Sequence, residues 1–213
     1  SGPAGLSAAC FLARQGVVVD IYDREAKAGG LLRYGIPEYR LPRDVLDREI
    51  ENIFALGITF LKERNIGPDE LPSLTKEYDF VFFSPGRWGR NIPQWGYSGK
   101  AVFDGLNILK KIHKGKIPSL GHRVAVVGGG NTAMDVTRIL MRLGKEVTIV
   151  YRRTLAEVPA FADEIEEGIE ENIQILERKL ISRIENQTNS SLMIEIQGAV
   201  KGRDGEIVPD GEK

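Results

Sequence analysis

The chain has 213 residues, of which 42% are hydrophobic and 28% charged, and its formal net charge is −1. This length can bury a core in one large or two small domains, and the near-neutral charge gives no overall attraction to nucleic acid or anionic membranes. No apolar run approaches the ~20 residues that span a bilayer. One cysteine, Cys10, and two histidines, His113 and His122, make a poor metal set. We therefore expect a cytoplasmic protein without a metal site, a membrane span or a nucleic-acid partner.

The first half of the sequence alternates helices with short apolar strands. The predicted order is a small-residue helix that ends near Gly16, strand Val17–Asp23, loop Gly29–Gly35, helix Arg43–Leu56, and strands Ile58–Leu61 and Asp79–Phe83. A βαβ unit normally has a strand before such a first helix, and none precedes this one. We therefore expect the chain to begin inside a motif, with an incomplete first domain at residues 1–117.

The second half repeats this plan after a turn-rich segment, Gly115–Gly121, which is the predicted domain boundary. The predicted order is helix Val102–Ile112 before the boundary, then strand Arg123–Val127, a glycine loop, a helix to about Leu143, strand Glu146–Tyr151 and helix Ala160–Glu171. Three further strands are expected to form a small antiparallel meander with a turn at Asn186–Ser190: Ile173–Leu176, Lys179–Ile184 and Leu192–Ile196. The second domain is thus predicted to cover residues 118–213, without a closing strand after Lys201.

Five acidic residues lie close together in the last predicted helix: Glu164, Glu166, Glu167, Glu170 and Glu171. Charged runs of this kind usually face water, so a solvated helix face is the prediction. A docking role for this face is the less favoured alternative.

The stronger functional motif is Gly128-Gly-Gly-Asn-Thr-Ala133, which fits G-x-G-x-x-A between an apolar strand and a helix. In such a turn Gly128 permits the tight bend, Gly130 lets a pyrophosphate approach the backbone, and Ala133 lets the helix pack close to the strand. The helix N-terminus offers free N–H groups and the positive end of its dipole to the phosphates. This context predicts a dinucleotide site; a purely structural strand–helix turn is the alternative.

Two arginines, Arg152 and Arg153, follow the next strand at the place where NAD-binding domains carry an acidic residue. A carboxylate there accepts hydrogen bonds from the ribose 2′-hydroxyl, whereas guanidinium groups pair with a 2′-phosphate. The sequence therefore predicts NADP(H) in preference to NAD(H). A solvated basic turn is the alternative.

A weaker motif opens the chain at Gly2-Pro-Ala-Gly5, which reads as G-x-G-x-x-G without its first glycine and the strand before it. Asp23 ends the following predicted strand, about where a ribose-binding acid belongs. This pattern predicts a second dinucleotide half-site, and an alanine-rich core helix is the alternative. The two motifs together predict an α/β fold of two Rossmann-like three-layer domains, each on a parallel sheet, the first truncated and the second carrying the antiparallel meander.

The motifs resemble those of the small (β) subunit of NADPH-dependent glutamate synthase. The resemblance rests on Gly2-Pro-Ala-Gly-Leu6, Gly29-Gly-Leu-Leu-Arg-Tyr-Gly-Ile-Pro-Glu-Tyr-Arg-Leu-Pro42, Val126-Val-Gly-Gly-Gly-Asn-Thr-Ala-Met-Asp135, Tyr151-Arg-Arg-Thr154 and Glu157-Val-Pro-Ala160. The flavin half of dihydropyrimidine dehydrogenase and the NADPH subunit of ferredoxin:NADP oxidoreductases share the pattern. The resemblance covers nearly the whole chain.

The resemblance implies two sets of cofactor-binding residues and no catalytic side chain of the protein itself. The FAD set is Gly2, Ala4, Gly5, Asp23, Leu31, Arg40 and Ile66. The NADP(H) set is Gly128, Gly130, Asn131, Thr132, Ala133, Arg152 and Arg153. The family's reaction passes a hydride from NADPH to FAD, and electrons then leave through iron–sulfur clusters.

Disulphide reductases of the wider superfamily carry a C-x-x-C pair beside the flavin, whereas this chain has only Cys10. The resemblance therefore implies that electrons go to a cluster or to a partner subunit, such as the glutamate synthase large subunit; homodimerisation stays open. A ferredoxin or pyrimidine acceptor is the alternative. The family's cluster domain and the segment that completes its FAD domain have no counterpart here, and Ser84-Pro-Gly86 replaces an Ala-Thr-Gly turn. A truncated, non-catalytic nucleotide-binding fragment is thus a further alternative.

Overall fold

The computed structural model describes residues 1–88, 92–93, 95–97, 99–188, 191–202, 204 and 206–210. The chain divides into two compact units, Ser1–Trp88 and Gly89–Lys213. Each unit contains a parallel sheet and an apolar core of its own. The division falls before the predicted boundary at residue 117, because the helix that precedes that boundary packs within the second unit.

The first unit places helices around a two-stranded parallel sheet. Its elements are α1 (Pro3–Arg14), β1 (Asp20–Tyr22), α2 (Leu31–Tyr34), α3 (Arg43–Phe54), β2 (Thr59–Leu61) and α4 (Leu71–Glu77). Helix α3 buries Leu46 and Ile50, one turn apart, while Arg48, Glu49 and Glu51 are exposed. Leu6 and Ala9 of α1 and Ile21 of β1 complete this core. The parallel register of β1 and β2 places Ile21 opposite Phe60.

The predicted strand at Asp79–Phe83 is wrong, because residues 79–88 have no regular structure. The side chain of Phe80 is 92% exposed and that of Phe82 is 65% exposed. An apolar run becomes a strand only when a neighbouring strand satisfies its backbone groups, and β1 and β2 pair only with each other in the described residues. The strand predicted from Val17 likewise starts only at Asp20, where its pairing with β2 starts.

The second unit is built on a three-stranded parallel sheet with a separate antiparallel sheet. Its elements are α5 (Gly105–His113), β3 (Arg123–Val127), α6 (Asn131–Arg142), β4 (Glu146–Val150), a 3₁₀ turn (Leu155–Glu157), α7 (Ala162–Glu170), β5 (Gln174–Leu176), β6 (Lys179–Thr188), β7 (Ser191–Lys201) and β8 (Ile207–Pro209). The parallel order is β3-β4-β5, and β6, β7 and β8 form an antiparallel meander. This α/β arrangement agrees with the predicted fold class.

Two details of the meander differ from the prediction. The segment predicted at Ile173–Leu176 pairs in parallel with β4, so it belongs to the first sheet and not to the meander. The meander gains β8, Ile207–Pro209, where the sequence predicted no strand. A short apolar segment carries no signal for its pairing partner, so periodicity alone could not assign either strand. The predicted turn at 186–190 includes residues 189 and 190, which lie outside the described residues.

The acidic residues of α7 do not form a purely solvated face. Arg138 of α6, whose side chain is only 3% exposed, donates hydrogen bonds to Glu164 at 2.9 Å and to Glu171 at 2.8 and 3.1 Å. Its guanidinium also lies 2.7 Å from Glu167. The prediction is corrected for these three glutamates, because a buried guanidinium requires carboxylate partners. This network fastens α7 to α6.

Candidate functional site

The glycine turn, residues 128–130, lies between β3 and α6. Gly128 adopts φ 125°, in the half of conformational space that side chains disfavour, and its N–H donates to the carbonyl of Val150 at 3.1 Å. This bond ties the turn to the end of the neighbouring strand β4. The sequence Val126-Val-Gly forms the turn because the strand ends where glycine permits the chain to reverse direction.

Gly129 and Gly130 face different surroundings. A Cβ built on Gly129 would lie 2.6 Å from the ring of Tyr151, whereas one built on Gly130 would meet nothing within 4 Å. Gly130 is also the N-cap of α6, with an extended backbone that any residue can adopt. No described protein atom would contact a side chain at Gly130, at the N-terminus of this 12-residue helix, and the positive end of the helix dipole suits an anion there. This is the place where the sequence predicts a diphosphate.

The next two predicted residues pack inward from the turn. Ala133 is buried, and its Cβ lies 3.9 Å from the position of a Cβ on Gly128, so a larger side chain would push the helix off the strand. The methyl group of Thr132 lies 3.3 Å from the position of a Cβ on Gly105, at the start of α5. Small residues at both positions let α6 approach its neighbours closely.

Arg152 and Arg153 lie at the same edge of the sheet as the glycine turn. The parallel register pairs Val127 with Val150, so both strands end together and their following residues are neighbours. Arg152 is exposed and Arg153 is partly exposed. Within the described ranges, neither guanidinium forms an ion pair with a carboxylate. The edge therefore presents two positive charges beside an open helix N-terminus.

The segment from Tyr151 to Phe161, which contains two of the motifs quoted for the resemblance, is hydrogen-bonded to the glycine turn. The Tyr151 ring packs against Gly129, and its hydroxyl donates to the carbonyl of Glu157 at 2.7 Å. At the far end, Ala160 N–H donates to the Gly129 carbonyl at 3.2 Å, and Phe161 N–H donates to Oδ1 of Asn131 at 2.9 Å. Asn131 is thus oriented by the segment. The Thr154-x-x-Glu157 spacing is the sequence signal that indicates the local closure of this turn, which was not predicted from the sequence.

The N-terminal turn, residues 1–5, forms the first half-site. Gly2 is the N-cap of α1 and Pro3 is the first helical residue, followed by Ala4 and Gly5. A Cβ on Gly30 would lie 2.6 Å from the Gly2 Cα, and Gly29 N–H donates to the Ser1 carbonyl at 2.8 Å. Gly30 also has φ 52°, so the close approach of the two loops requires glycine.

Asp23 lies just after β1 and contacts the N-terminal turn. Its Oδ2 accepts from the Ser1 ammonium at 2.7 Å and from the Ser1 hydroxyl at 2.6 Å, and its Oδ1 accepts from Glu25 N–H at 2.9 Å. Burial raises the pKa of Asp23, but these hydrogen bonds outweigh it and hold the pKa below its ordinary value. The carboxylate therefore stays ionised at neutral pH beside the turn.

The remaining predicted residues of the first half-site are spread over its loops. Gly5 lies against Ser84, whose Oγ would be 2.7 Å from a Cβ on Gly5. Leu31 is the first residue of α2, and Arg40 lies in the turn between α2 and α3, where its N–H donates to Pro37 at 3.1 Å. Ile66 follows Arg64, whose N–H donates to the Asp23 carbonyl at 2.8 Å. The roles assigned to these residues stay predictions.

Two other features are absent from the described part of the chain. No helix there is long and apolar enough to cross a membrane. No group of three or more His, Cys, Asp or Glu residues there could hold a metal ion.

The two half-sites define the class of protein. Each unit combines a parallel sheet with a glycine-bearing turn at the start of a helix, and the second places paired arginines at the edge where such sheets bind nucleotides. The class is that of the α/β proteins with two dinucleotide-binding folds.

The chain belongs to the pyridine nucleotide-disulphide oxidoreductase family, whose model matches residues 1–209. Homologues in this family bind FAD and NADP(H), which are the two cofactors that the sequence predicted. The 213 residues contain one cysteine, so no disulphide can form within them.

Three curated relatives of this chain are oxidoreductase subunits whose names contain NADP(+) or NADPH. The chain is 44% identical over 181 residues to the NADP(+)-dependent formate dehydrogenase subunit beta of Moorella thermoacetica, covering 81% of this chain and 25% of that protein. It is 37% identical over 194 residues to the NADPH-Fe(3+) oxidoreductase subunit beta of Geobacter sulfurreducens, covering 85% of this chain and 29% of that protein. A putative glutamate synthase [NADPH] small chain from Cereibacter sphaeroides is 34% identical over 188 residues, covering 83% and 46%. The predicted resemblance is thereby confirmed, and the chain spans less than half the length of these relatives.

A solved structure supports the fold. FprA from Mycobacterium tuberculosis superposes with a TM-score of 0.77 at 16% identity, covering 100% of this chain and 66% of that one. At this identity the match establishes the architecture alone. The prediction of two Rossmann-like folds is confirmed by this similarity and by the family match.

Proposed function

We propose that this chain is the NADPH-oxidising part of a flavoprotein oxidoreductase whose second unit binds NADP(H). The observation that carries the proposal is the position of Arg152 and Arg153 beside the open N-terminus of α6 at Gly130. One feature suits a diphosphate and the other suits a further phosphate on the adenosine ribose. NADP(H) has both groups in one molecule, whereas NAD(H) has only the first.

Different residues of the second unit bind different phosphate groups of NADP(H) in this proposal. The N–H groups at the start of α6 donate to the pyrophosphate, and the absence of a side chain on Gly130 leaves room for it. Arg152 and Arg153 hold the 2′-phosphate through charge-assisted hydrogen bonds. Ala133 lets the helix lie close to the glycine turn, and Thr132 packs against the start of α5, so both support the position of the helix N-terminus.

The first unit provides the site proposed for FAD. The N-terminal turn and Gly29–Gly30 approach each other so closely that a side chain on Gly30 would collide with Gly2. Asp23 is ionised and adjacent to this turn, where it would accept hydrogen bonds from a ribose. Gly2, Ala4 and Gly5 would face the pyrophosphate of FAD, with Leu31, Arg40 and Ile66 in the surrounding loops.

FAD, when bound, supplies the ability to take a hydride from the nicotinamide and to pass electrons on singly. The protein orients the two ligands and keeps the 2′-phosphate neutralised. We propose an iron–sulfur protein or a partner subunit as the acceptor, in the manner of the glutamate synthase small chain. Three relatives are named as β subunits or a small chain, which supports a partner. Their names differ in substrate but all contain NADP(+) or NADPH, so use of this nucleotide is the part that they support in common.

The test replaces both arginines and compares two nucleotides. The Arg152→Ala/Arg153→Ala variant should bind NADP⁺ about tenfold to a hundredfold more weakly, because charge-assisted hydrogen bonds contribute about 1.5–3 kcal/mol. Its affinity for NAD⁺ should stay the same. Isothermal titration calorimetry on the 213-residue chain gives both values.

Arg123→Ala is the matched control, because Arg123 is an exposed arginine at the opposite end of the same sheet. It should leave both affinities unchanged. An unaltered preference in the double variant would overturn the assignment of the 2′-phosphate site. A chain that binds neither nucleotide would overturn the proposed function.

A second experiment tests the flavin half-site. Purified protein incubated with FAD should retain flavin absorbance after gel filtration and lose that absorbance on addition of NADPH. A chain that binds NADP⁺ but retains no flavin would instead support the non-catalytic nucleotide-binding alternative. Asp23→Asn should weaken retention of FAD, whereas Asp69→Asn, at an exposed position of the same unit, should not.

A further inference from the structure

The turn that carries Arg152 and Arg153 closes on a single residue, Glu157. One carboxylate oxygen of Glu157 accepts two hydrogen bonds, from Thr154 N–H at 3.2 Å and from the Thr154 hydroxyl at 2.8 Å. In the other direction, Glu157 N–H donates to the Thr154 carbonyl at 3.0 Å. The backbone carbonyl of Glu157 accepts the Tyr151 hydroxyl. Three parts of Glu157 thus bind residues that flank the two arginines on both sides.

The far side of the same turn is held from the segment after β5. Leu155 N–H donates to the carboxylate of Glu177 at 2.8 Å, and Arg178 N–H donates to the Arg153 carbonyl at 3.0 Å. These bonds leave the guanidinium groups of Arg152 and Arg153 uninvolved. The backbone from 151 to 158 is therefore held by contacts that do not involve the two arginine side chains, of which Arg152 is exposed and Arg153 partly exposed.

The negative charge of Glu157 does not itself favour binding of a phosphate by the two arginines, because a carboxylate competes with a phosphate for a guanidinium. Hydrogen bonds from Thr154 lower the pKa of Glu157 most, and the field of Arg153 lowers it further. Glu157 is exposed, so it has no role in the core. Its carboxylate is committed to the turn, which indicates that its geometry and not its charge is the useful property.

We propose that Glu157 is a positioning residue that determines the preference for a 2′-phosphorylated nucleotide by closing the turn that carries Arg152 and Arg153. The inference rests on the proposed function, because it assigns a determinant within the same NADP(H) site. Glu157 acts only through the backbone of residues 151–157. Without its carboxylate, Thr154 N–H loses its acceptor, and the arginines are presented from a looser turn.

The test separates geometry from charge with two substitutions at one position. Glu157→Gln keeps an acceptor at the third position of the 3₁₀ turn, which glutamine fills as well as glutamate in such capping boxes. Glu157→Ala removes the acceptor. We expect the ratio of NAD⁺ to NADP⁺ dissociation constants to fall about fivefold in Glu157→Ala, the scale of a lost cap. In Glu157→Gln the ratio should equal or exceed that of the unaltered chain.

Calorimetric titration with NADP⁺, NAD⁺ and 2′-AMP measures these constants on the full 213-residue chain. Glu166→Ala, on an exposed position of α7, is the matched control and should leave the ratio unchanged. Thr154→Val, which removes the hydroxyl donor to Glu157, should lower the ratio in the same direction as Glu157→Ala. A melting curve for each variant shows that it is folded.

Four outcomes overturn the inference. Equal losses in Glu157→Ala and Glu157→Gln would mean that charge is the cause. A parallel loss of NADP⁺ and NAD⁺ affinity would mean a merely structural role, and an unchanged ratio in Glu157→Ala would mean no role. In each of these cases the Arg152→Ala/Arg153→Ala variant still reports separately on the proposed function. An unaltered chain without any preference for NADP⁺ would overturn both.

Discussion

The two glycine-bearing turns of this chain are held in place by different means. The turn at 128–130 follows strand β3, is hydrogen-bonded to β4 through Gly128 N–H, and packs against the Tyr151 ring at Gly129. The N-terminal turn is held by polar contacts, from Ser1 to Asp23 and from Gly29 to Ser1. Backbone pairing and aromatic packing fix the second turn, whereas hydrogen bonds among a few loop residues fix the first. The same type of motif thus depends on quite different residues in the two units.

This difference predicts where each half-site is vulnerable. The second turn depends on the packing of α6 against the sheet and α7. Substitutions far from the turn in sequence should therefore alter its stability and its nucleotide affinity. The first turn depends on hydrogen bonds among neighbouring loop residues, so its response to substitutions should be local. Four substitutions test this contrast, from the largest expected effect to the smallest.

The largest effect should come from Arg138→Ala in the second unit. The substitution removes the cation that binds Glu164, whose side chain is only 9% exposed, and breaking a buried pair costs about 3–5 kcal/mol. Urea unfolding should show this loss of stability, and NADP⁺ binding should weaken with it. Arg48→Ala, at a 66% exposed position of α3, is the control. Similar losses in the two variants would contradict the account of the second unit.

A large and more selective effect should come from Gly130→Ala. Because a Cβ at this position meets no protein atom within 4 Å, the folded chain should keep its melting temperature. The new methyl group should occupy the space of the pyrophosphate and weaken NADP⁺ binding about tenfold, roughly the value of one charge-assisted hydrogen bond. Gly67→Ala, equally unobstructed but in the first unit, should change neither property. Unchanged NADP⁺ affinity in Gly130→Ala would place the diphosphate elsewhere.

A moderate effect is expected for Tyr78→Phe in the first unit. The Tyr78 hydroxyl donates to Asp20 at 2.6 Å, and its loss should cost about 0.5–1.5 kcal/mol in unfolding free energy. The same bond raises the pKa of Tyr78 above its ordinary value of 10.0. The contribution should therefore be complete below pH 10 and disappear as the pH rises through the higher folded value. Ultraviolet titration of the unaltered chain that shows Tyr78 ionising at its ordinary pKa would contradict this.

The smallest effect should be the acid sensitivity of the network on α7. The bond from Arg138 lowers the pKa of Glu171 most, burial opposes it, and Arg142 adds to the lowering. Because the folded pKa is depressed below the ordinary 4.5, the stabilisation is present above that value and lost as the pH falls through the folded one. Urea midpoints between pH 6 and 3 should fall less in Glu171→Gln than in the unaltered chain, with Glu166→Gln as the control. Parallel pH profiles would exclude this contribution.

The sequence predicted the elements whose signals are local. Strands β3 and β4 are apolar runs that end in glycine or charged residues, and α3 and α6 have apolar residues at helical spacing, so each could be located without knowing its neighbours. The segment 79–83 has an equally apolar run but no partner in the described residues, so it is not a strand. Strand pairing requires two segments, so the sequence of one segment alone does not predict whether it forms a strand.

The candidate site was predictable to a similar extent. Spacing located Gly128, Gly130 and the arginine pair, because the motif is short and continuous. The contacts of Tyr151 with Gly129 and of Phe161 with Asn131 join residues about 20 and 30 positions apart, and no local pattern announces them. Glu157 lies in a motif quoted for the resemblance and in a four-residue capping signature with Thr154, but its effect on the nearby arginines could be inferred only from the folded turn.

The fixed backbone around residues 152 and 153 has one more consequence. The carboxylate of Glu177 accepts from Leu155 N–H and the N–H of Arg178 donates to the Arg153 carbonyl, so replacing either arginine side chain should leave the course of this backbone unaltered. On the proposed function, redesign toward an unphosphorylated nucleotide should therefore require new side chains at two positions and no remodelling of the loop. The residues that fix the backbone of this edge are different from the two arginines that give it its charge, so its shape and its charge should be changeable separately.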